Sequence, residues 1–262
     1  MTTESTTLSA RKMTDPLQLR AWRLGLYGLC QHWGEVTDVS QLERMVSWEE
    51  AERARRSLDR RVRDSHIGRF KPIADFDWTW PKRVDRAVIE ELMGLDFIKE
   101  AANPILIGPN GVGKTMIAKN IAHRALLAGH TVRFATASEL LGELASQDGS
   151  AARQRRLKAA ARLDLLVIDE IGYLSYDNRF ADLLFEVISM RYQQRPTLIT
   201  TNRPFGEWPD VFPNAACVVT LVDRLTHCAE VVQVNAPSYR LREAELRAQE
   251  KAVARAGRGK VG

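Results

Sequence analysis

The stretch PILIGPNGVGKTMIAKNIA, residues 104–122, decides the fold of this protein. A short apolar run precedes a glycine-rich loop, and apolar residues at helical spacing follow it. Residues 108–115 match the pattern G-x-x-x-x-G-K-[ST] at every defined position. Glycine adopts positive φ at little cost, so the backbone N–H groups of such a loop can close around an anion. The stretch therefore predicts a strand, a phosphate-binding loop and a helix in succession.

Two side chains of the loop add to what its backbone provides. We expect Lys114 to reach the β- and γ-phosphates of a nucleotide, and the Thr115 hydroxyl to bind Mg²⁺, which prefers oxygen ligands. A glycine-rich turn that binds nothing is the alternative, and the complete match to the pattern argues against it. The other residues expected around the phosphates are Gly108, Pro109, Asn110, Gly111, Val112, Gly113 and Met116.

From about residue 82, predicted strands alternate with predicted helices. The strands are predicted at residues 105–107, 131–136, 163–170 and 196–202, and the helices at 115–128, from 137 onwards and at 179–194. This alternation predicts the α/β class, with a parallel sheet flanked by helices on both faces. Ligands of such sheets bind beyond the carboxyl ends of the strands.

Two acids end the third predicted strand. Asp169 and Glu170 follow the apolar residues LLVI. In P-loop ATPases an aspartate in this place holds Mg²⁺, and a glutamate beside it can orient or deprotonate the attacking water. A strand that simply ends in solvated acids is the alternative. The position one strand–helix pair after the phosphate loop favours the functional interpretation.

Two later polar residues are weaker candidates. Asn202 follows the strand LITT and is expected to bind the water or the γ-phosphate, although an asparagine in a turn would look the same. Arg224 lies in the segment LVDRLTHC, a predicted helix. It can stabilise charge on the γ-phosphate of a neighbouring subunit, or it can form an intrahelical ion pair, and spacing alone leaves both open.

The residues before the sheet have a different organisation. Residues 1–16 are expected to be a disordered leader without a signal peptide, and residues 17–70 a helical N-terminal domain. Its long charged helix is predicted to begin at Ser47, with Glu50 completing a capping box, and to continue to Phe70. Residues 71–81 contain two prolines and are predicted to be a linker. Its aromatic residues Phe76, Trp78 and Trp80 can lie near the adenine of a nucleotide or pack at the domain junction, and packing is the favoured interpretation.

The net charge of +5 is unevenly distributed. Basic residues cluster in residues 53–71, 153–162 and 240–262, which suggests surfaces for polyanions. In the first cluster four arginines recur at helical steps and share one face, where they can line a DNA backbone. A solvated helix with internal ion pairs is the alternative. The four candidate DNA-binding residues are Arg53, Arg56, Arg60 and Arg63.

Cysteine content and hydropathy bear on the compartment. The three cysteines are isolated, which argues against a disulfide framework and favours a reducing compartment. No apolar run reaches the length of a membrane span. We expect a cytoplasmic protein without a membrane partner.

Five segments, GPNGVGKT, LLVIDEIGYLS, LITTNRPFGEW, LVDRLTHC and SYR, occur in this order. Together they resemble the helper ATPases of insertion sequences, the IstB family, which is akin to the DnaC helicase loaders and the initiator-type AAA+ ATPases. The resemblance covers most of residues 50–242. It implies an AAA+ ATPase domain, residues 82–242, between the small helical N-terminal domain and a basic tail, residues 243–262.

The resemblance also implies cofactors, partners and residue roles. The family binds ATP with Mg²⁺, forms homo-oligomers on duplex DNA and assists a transposase. Carried over by motif, Lys114 and Thr115 would bind phosphate and Mg²⁺, Asp169 and Glu170 would be the acidic pair, and Asn202 the polar sensor. Arg224 would reach a neighbour's nucleotide, and Arg240 in SYR would touch nucleotide in its own subunit. This chain has Ala236 where the family commonly has glycine.

Two other functions share the same ATPase core. A helicase loader would use its N-terminal helices to grip a replicative helicase instead of serving a transposase. A nucleotide-bound scaffold would bind ATP with negligible turnover. The catalytic residues expected for an ATPase are Lys114, Glu170, Asn202 and Arg224.

Overall fold

The computed structural model describes residues 13–80, 84–147, 149–173, 178–212 and 217–258. The chain divides into two compact units between Arg60 and Arg61. Most of the expected leader, residues 1–12, lies outside the described residues. No helix among the described residues is both long and apolar enough to cross a membrane.

The first unit is helical. It contains α1 (Pro16–Arg23), α2 (Tyr27–Gln31), a short 3-10 turn at Trp33–Glu35 and most of α3 (Val39–Asp64). Asp15 caps α1, because its carboxylate accepts a hydrogen bond from the Leu17 N–H at 2.8 Å. The buried apolar residues of this unit are Leu17, Ala21, Leu24, Cys30 and Val46.

Helix α3 begins earlier and ends earlier than the sequence predicted. The predicted cap at Ser47 is wrong, because the helix already starts at Val39. The carboxylate of Asp38 accepts from the Gln41 N–H at 2.8 Å instead. Ser47 lies inside the helix and accepts a hydrogen bond from Arg20 of α1 at 2.9 Å. The helix stops at Asp64, not Phe70, and the next residues include His66 with φ +56° and Gly68 with φ +62°, which no helix accommodates.

The second unit is built on a five-stranded sheet. Its strands are β1 (Asn103–Ile107), β2 (Val132–Thr136), β3 (Leu165–Ile171), β4 (Thr197–Thr201) and β5 (Ala229–Gln233). The order is β2-β3-β4-β1-β5 and all four pairings are parallel, so the predicted fold class is confirmed. Strand β5 was not predicted. It is an edge strand in which only Val232 is buried, so it lacks the run of buried apolar residues that marks the others.

Helices flank this sheet. They are α4 (Arg86–Gly94), α5 (Asp96–Glu100), α6 (Lys114–Leu127), α7 (Ala137–Ala145), α8 (Ser150–Arg162), α9 (Asn178–Arg191), α10 (Trp208–Val211), α11 (Val218–Thr226) and α12 (Tyr239–Arg258). Leu166 and Ile168 of β3 join one buried core with α7, α9 and α11. Val167 between them is also fully buried and faces the other side of the sheet, since side chains alternate along a strand. Helix α6 follows the phosphate loop and contacts four of the strands.

Candidate nucleotide site

The phosphate loop joins β1 to α6 at the carboxyl end of the sheet. Gly111 and Gly113 have φ of +80° and +102°, a region that residues with a Cβ rarely adopt. A Cβ on Gly111 would lie 2.3 Å from the Ser238 hydroxyl, and one on Gly113 would lie 2.6 Å from the ring of Phe76. Helix α6 begins at Lys114 directly after the loop, so its unpaired N–H groups and positive dipole end face the loop. This backbone fits an anion.

Lys114 is folded back into the loop. Its ammonium donates hydrogen bonds to the carbonyl oxygens of Gly108 at 2.7 Å and Pro109 at 2.8 Å. Only 4% of its surface is exposed, and this burial lowers the pKa of Lys114 to about 8. Its hydrogen-bond partners are neutral carbonyls, and the charges of Asp169 and Glu170 offset the cost of burial only in part. A bound triphosphate would supply further negative charge.

Two hydroxyl groups converge on Asp169. Thr115 donates to Oδ1 of Asp169 at 3.1 Å, and Thr200 of the neighbouring strand β4 donates to the same oxygen. The carboxylate is 2% exposed, and burial raises its pKa. Carboxylate and hydroxyl oxygens are ligands that Mg²⁺ prefers, so these groups fit that ion beside a triphosphate.

Glu170 owes its position to an irregularity in β3. The register between β3 and β4 shifts between Ile168 and Ile171, and Glu170 within the shift has φ +64°. Its N–H donates to the Thr200 hydroxyl at 3.0 Å, which holds the distorted backbone in place. Burial raises the pKa of Glu170, and the negative charge of Asp169 raises it further. A carboxylate with a raised pKa is suited to accept a proton from water.

Asn202 follows β4 at the same edge of the sheet. Its side-chain oxygen is buried and has no hydrogen-bond partner among the described residues. An unpaired buried amide oxygen costs about 1–3 kcal/mol, so it suits a position that is paired only when ligand or water is bound. Thr200 belongs to the strand LITT that precedes Asn202, and the sequence indicated no role for it. The structure gives it two partners, Asp169 and Glu170.

The chain returns to the loop after β5. The Val234 N–H donates to the Ile107 carbonyl at 2.8 Å, and the Tyr239 N–H to the Gly111 carbonyl at 2.9 Å. Arg240 thereby lines one cavity with the loop residues from Gly111 to Met116, and its charge opposes protonation of Lys114. Ala236 is buried in this return.

Aromatic side chains close the same cavity. Phe76, Trp80, Tyr173 and Tyr239 line it beside the phosphate loop. The sequence offered a place near the adenine for the aromatic cluster at residues 76–80 but favoured packing, and it gave no signal for Tyr173 and Tyr239. Phe76 does pack, with its ring 4.7 Å from that of Trp78, but it also lies against Gly113. The cavity thus combines donors for phosphates with flat apolar walls.

Comparison with known proteins decides the family. A model of the family described as IstB-like ATP binding protein matches residues 31–247. The chain belongs to this IstB-like family. The family is an ATP-binding one, which confirms the resemblance seen in the motifs and the expectation of ATP.

Two relatives of this IstB-like protein are named as ATP-binding proteins of insertion sequences. One, from IS5376 of Geobacillus stearothermophilus, is 32% identical over 233 residues, which cover 86% of this chain and 93% of the relative. The other, from IS21 of Pseudomonas aeruginosa, is 32% identical over 191 residues, covering 73% and 72% of the two chains.

Two solved structures share the fold of the IstB-like chain. A crystal structure of DnaI has a TM-score of 0.52 at 19% identity, covering 66% of this chain and 91% of that chain. The replication initiator DnaA bound to AMPPCP and single-stranded DNA has a TM-score of 0.50 at 17% identity, covering 67% and 56%. At these identities the likeness concerns the fold alone.

Arg224 of the IstB-like protein is separate from the cavity. It lies on α11, and its guanidinium is 4.9 Å from the ring centre of Phe185 on α9 and 5.8 Å from that of Tyr192, which directly follows α9. It also donates a hydrogen bond to the Ser189 hydroxyl. The Tyr192 hydroxyl in turn lies 2.7 Å from Nδ1 of His227. Contacts within its own subunit therefore hold Arg224, and it does not line the cavity at its own phosphate loop. Its predicted target is the nucleotide of a neighbouring subunit.

The arginines predicted to bind DNA lie on α3, and several have acidic partners. Arg53 pairs with Glu49 at 2.6 Å, Arg56 with Glu52 at 2.6 Å, and Arg63 contacts Asp64 at 3.6 Å. Arg60 is exposed on the same helix. These pairs agree with the solvated-helix alternative, although the guanidinium groups remain exposed. DNA phosphates would have to compete with the acids for Arg53 and Arg56.

Proposed function

We propose that this IstB-like protein is an Mg²⁺-dependent ATPase that assembles on duplex DNA and assists a transposase, with hydrolysis driving disassembly. The observation that carries the proposal is the position of Glu170. A backbone shift presents this carboxylate beside Asp169 at the phosphate loop, where a protein that only held nucleotide would have no use for a proton acceptor.

Each residue of the site has its own role in hydrolysis. Lys114 and the backbone of the loop bind the phosphates, while Thr115 and Asp169 would hold Mg²⁺. When bound, the ion neutralises phosphate charge. Glu170 accepts the proton of the attacking water, and Asn202 orients that water or the γ-phosphate with its unpaired oxygen.

Assembly would make ATP hydrolysis in one subunit depend on a second subunit beside it. Arg224 is clamped on α9 and does not line its own cavity, which supports a role at a neighbour's nucleotide. An arginine supplied in trans accelerates such reactions by about 10³- to 10⁵-fold. Subunits that bind ATP would therefore hydrolyse it only when they are side by side.

DNA would be held through its phosphates. Three basic segments support this: the arginines of α3, helix α8 with five basic residues between Arg153 and Arg162, and α12. Contacts of this kind are independent of base sequence and weaken steeply with salt. The insertion-sequence names of the relatives support a transposase as the protein partner.

A helicase loader is the second candidate. Its support is the shared fold with DnaI, which at 19% identity does not extend to function. The relatives above 30% identity that cover most of this chain are named for insertion sequences. They favour transposition.

The proposal is tested by following assembly on a DNA duplex in the presence of ATP, ADP or no nucleotide. We expect ATP to produce oligomers on DNA, Glu170→Gln to trap them, and purified transposase to be retained by the trapped complex. Affinity should fall linearly with salt on logarithmic axes. A protein that stays monomeric on DNA at saturating ATP, or a flat salt dependence, would contradict the proposal. Retention of a replicative helicase instead of the transposase would favour the second candidate.

A further inference from the structure

Residues 71–80 form a segment, here called the base strap, that is tied to the helix of the phosphate loop. Asn120 of α6 is 6% exposed and makes both ties at this end. Its side-chain oxygen accepts from the Ile73 N–H at 2.8 Å, and its amide donates to the Lys71 carbonyl at 3.0 Å. A buried side-chain amide whose oxygen and nitrogen both form hydrogen bonds fixes the position of the backbone to which it is bonded. The start of the base strap is therefore rigidly placed relative to Lys114.

The other end of the base strap is fastened to the start of α12. The indole N–H of Trp80 donates to the Pro237 carbonyl at 2.9 Å. Arg242 donates to the carboxylate of Asp77 at 3.0 Å and also lies 4.3 Å from the ring centre of Trp80. One guanidinium thus pairs with an acid and stacks on an aromatic ring of the same segment.

Hydrogen bonds from Thr79 keep the Asp77 carboxylate charged for its pairing with Arg242. The hydroxyl and N–H of Thr79 donate to the same carboxylate, at 2.6 Å and 3.0 Å. These two bonds, and then Arg242, lower the pKa of Asp77, so the carboxylate stays charged. A second ion pair, between Lys71 and Glu243 at 3.1 Å, also joins the base strap to α12. The two segments are joined at several points that lie far apart in sequence.

The space bounded by these two segments has two kinds of wall. Part of its lining is the backbone of the phosphate loop with Lys114. Another part is the rings of Phe76, Trp80 and Tyr239. A ligand that uses both walls carries a polyphosphate and a flat aromatic group, which describes a nucleoside triphosphate. Aromatic rings stack on nucleobases with about 1–3 kcal/mol per base.

We propose that the pair of Asp77 and Arg242 is a latch that holds the base strap against the nucleoside of bound ATP. Arg242 is then a positioning residue. It sets the affinity for the nucleoside part of the ligand and leaves the binding of the polyphosphate part unchanged. The role needs neither DNA nor hydrolysis, so it is independent of the function proposed above.

The test compares ATP with inorganic tripolyphosphate, which lacks the nucleoside. Both are titrated calorimetrically, with Mg²⁺ present, into the full chain and into Arg242→Gln, Asp77→Asn and the double variant. We expect each single variant to bind ATP about tenfold more weakly, the double variant to be no worse than either, and tripolyphosphate affinity to be unchanged. The matched control is Arg247→Gln on the same helix, whose side chain is 72% exposed and pairs only at 4.0 Å with Glu243. It should bind both ligands normally.

Three results would overturn the latch. Equal losses for ATP and tripolyphosphate would mean that the pair only supports the fold of the phosphate loop. Normal ATP affinity in both single variants would mean that the base strap holds without it. Penalties that add in the double variant would mean that the two residues act separately.

Trp80→Phe provides a second test that does not depend on the folding of the charge variants. It keeps an aromatic ring but removes the donor to the Pro237 carbonyl. We expect the same selective loss of ATP affinity with an unchanged melting temperature in the absence of nucleotide. Unchanged ATP affinity in this variant would also contradict the proposal.

Discussion

The hydroxyl of Thr115 donates a hydrogen bond to the carboxylate of Asp169 at 3.1 Å, although 54 residues separate them in the chain. The contact joins the start of α6 to the strand β3. It brings together two oxygen groups that the sequence could only assign separately to Mg²⁺. Their proximity makes each of them testable through the metal dependence of the proposed ATPase activity.

Thr115→Val removes the hydroxyl with little change in side-chain volume. We expect ATP binding to lose its dependence on Mg²⁺ and hydrolysis to fall by about 10²-fold or more, because one of the expected metal ligands is gone. Phosphate release at increasing Mg²⁺ measures this. Thr220→Val, at an exposed position on α11, is the control. Normal stimulation by Mg²⁺ in Thr115→Val would remove the threonine from the metal site.

The raised pKa of Glu170 predicts the pH dependence of hydrolysis. Only the deprotonated carboxylate accepts a proton, so the rate should fall as the pH is lowered through a pKa above the usual range of glutamate. Glu170→Gln should bind ATP but lose about 10²- to 10⁴-fold in rate, and the acidic limb should disappear from what remains. The exposed Glu91→Gln on α4 should keep the normal profile. A profile unchanged by Glu170→Gln would assign the limb to another group.

The lowered pKa of Lys114 predicts that the protein takes up a proton when it binds ATP. Burial lowers the pKa of Lys114 to about 8 in the structure without nucleotide, and a triphosphate beside the ammonium should raise it again. Above pH 8 most of the free protein has a neutral Lys114, so binding should take up close to one proton. At neutral pH or below, Lys114 is already charged and uptake should be small. Calorimetry in two buffers of different ionisation enthalpy measures the difference, and equal uptake at both pH values would count against it.

Arg224→Ala tests catalysis between subunits. The variant should bind ATP normally, because Arg224 does not line the cavity, but should hydrolyse it about 10³-fold more slowly. Mixing it with Glu170→Gln should restore part of the rate, since the second variant offers an intact Arg224 to the intact site of the first. Each variant alone is the control. A mixture no faster than its components would mean that Arg224 serves its own subunit or the fold.

We expect substitution of Arg191 to lower the stability of the fold strongly, although Arg191 has no role at the nucleotide site. Its guanidinium is 1% exposed and donates to the carbonyl oxygens of Ala160 at 2.8 Å and Leu163 at 2.9 Å, at the end of the basic helix α8. Arg191→Met would leave these buried carbonyls without donors and should lower the free energy of unfolding by about 3 kcal/mol. Urea unfolding measures the change. Arg155→Met, at an exposed position on α8, should change it by about 0.5 kcal/mol or less.

The sequence was reliable where the signal is local. Residues 108–115, the acids at the end of β3 and the strand β4 were placed correctly because apolar runs and glycine patterns act over a few neighbouring residues. The start of α3 was misplaced for a related reason. Ser47 and Glu50 match a capping box locally, but the segment before them continues the helix back to Val39.

By itself, then, the sequence determined the α/β class, the strand, loop and helix of residues 104–122 and the position of Asp169 and Glu170 at a strand end, because each is written in contiguous residues. Only the tertiary structure decided that Thr200 holds both Asp169 and Glu170, that the base strap is fastened to α12 through Asp77 and Arg242, and that Arg224 lies outside its own cavity. These relationships join residues far apart along the chain. They depend on how the strands and helices pack, which no short pattern encodes.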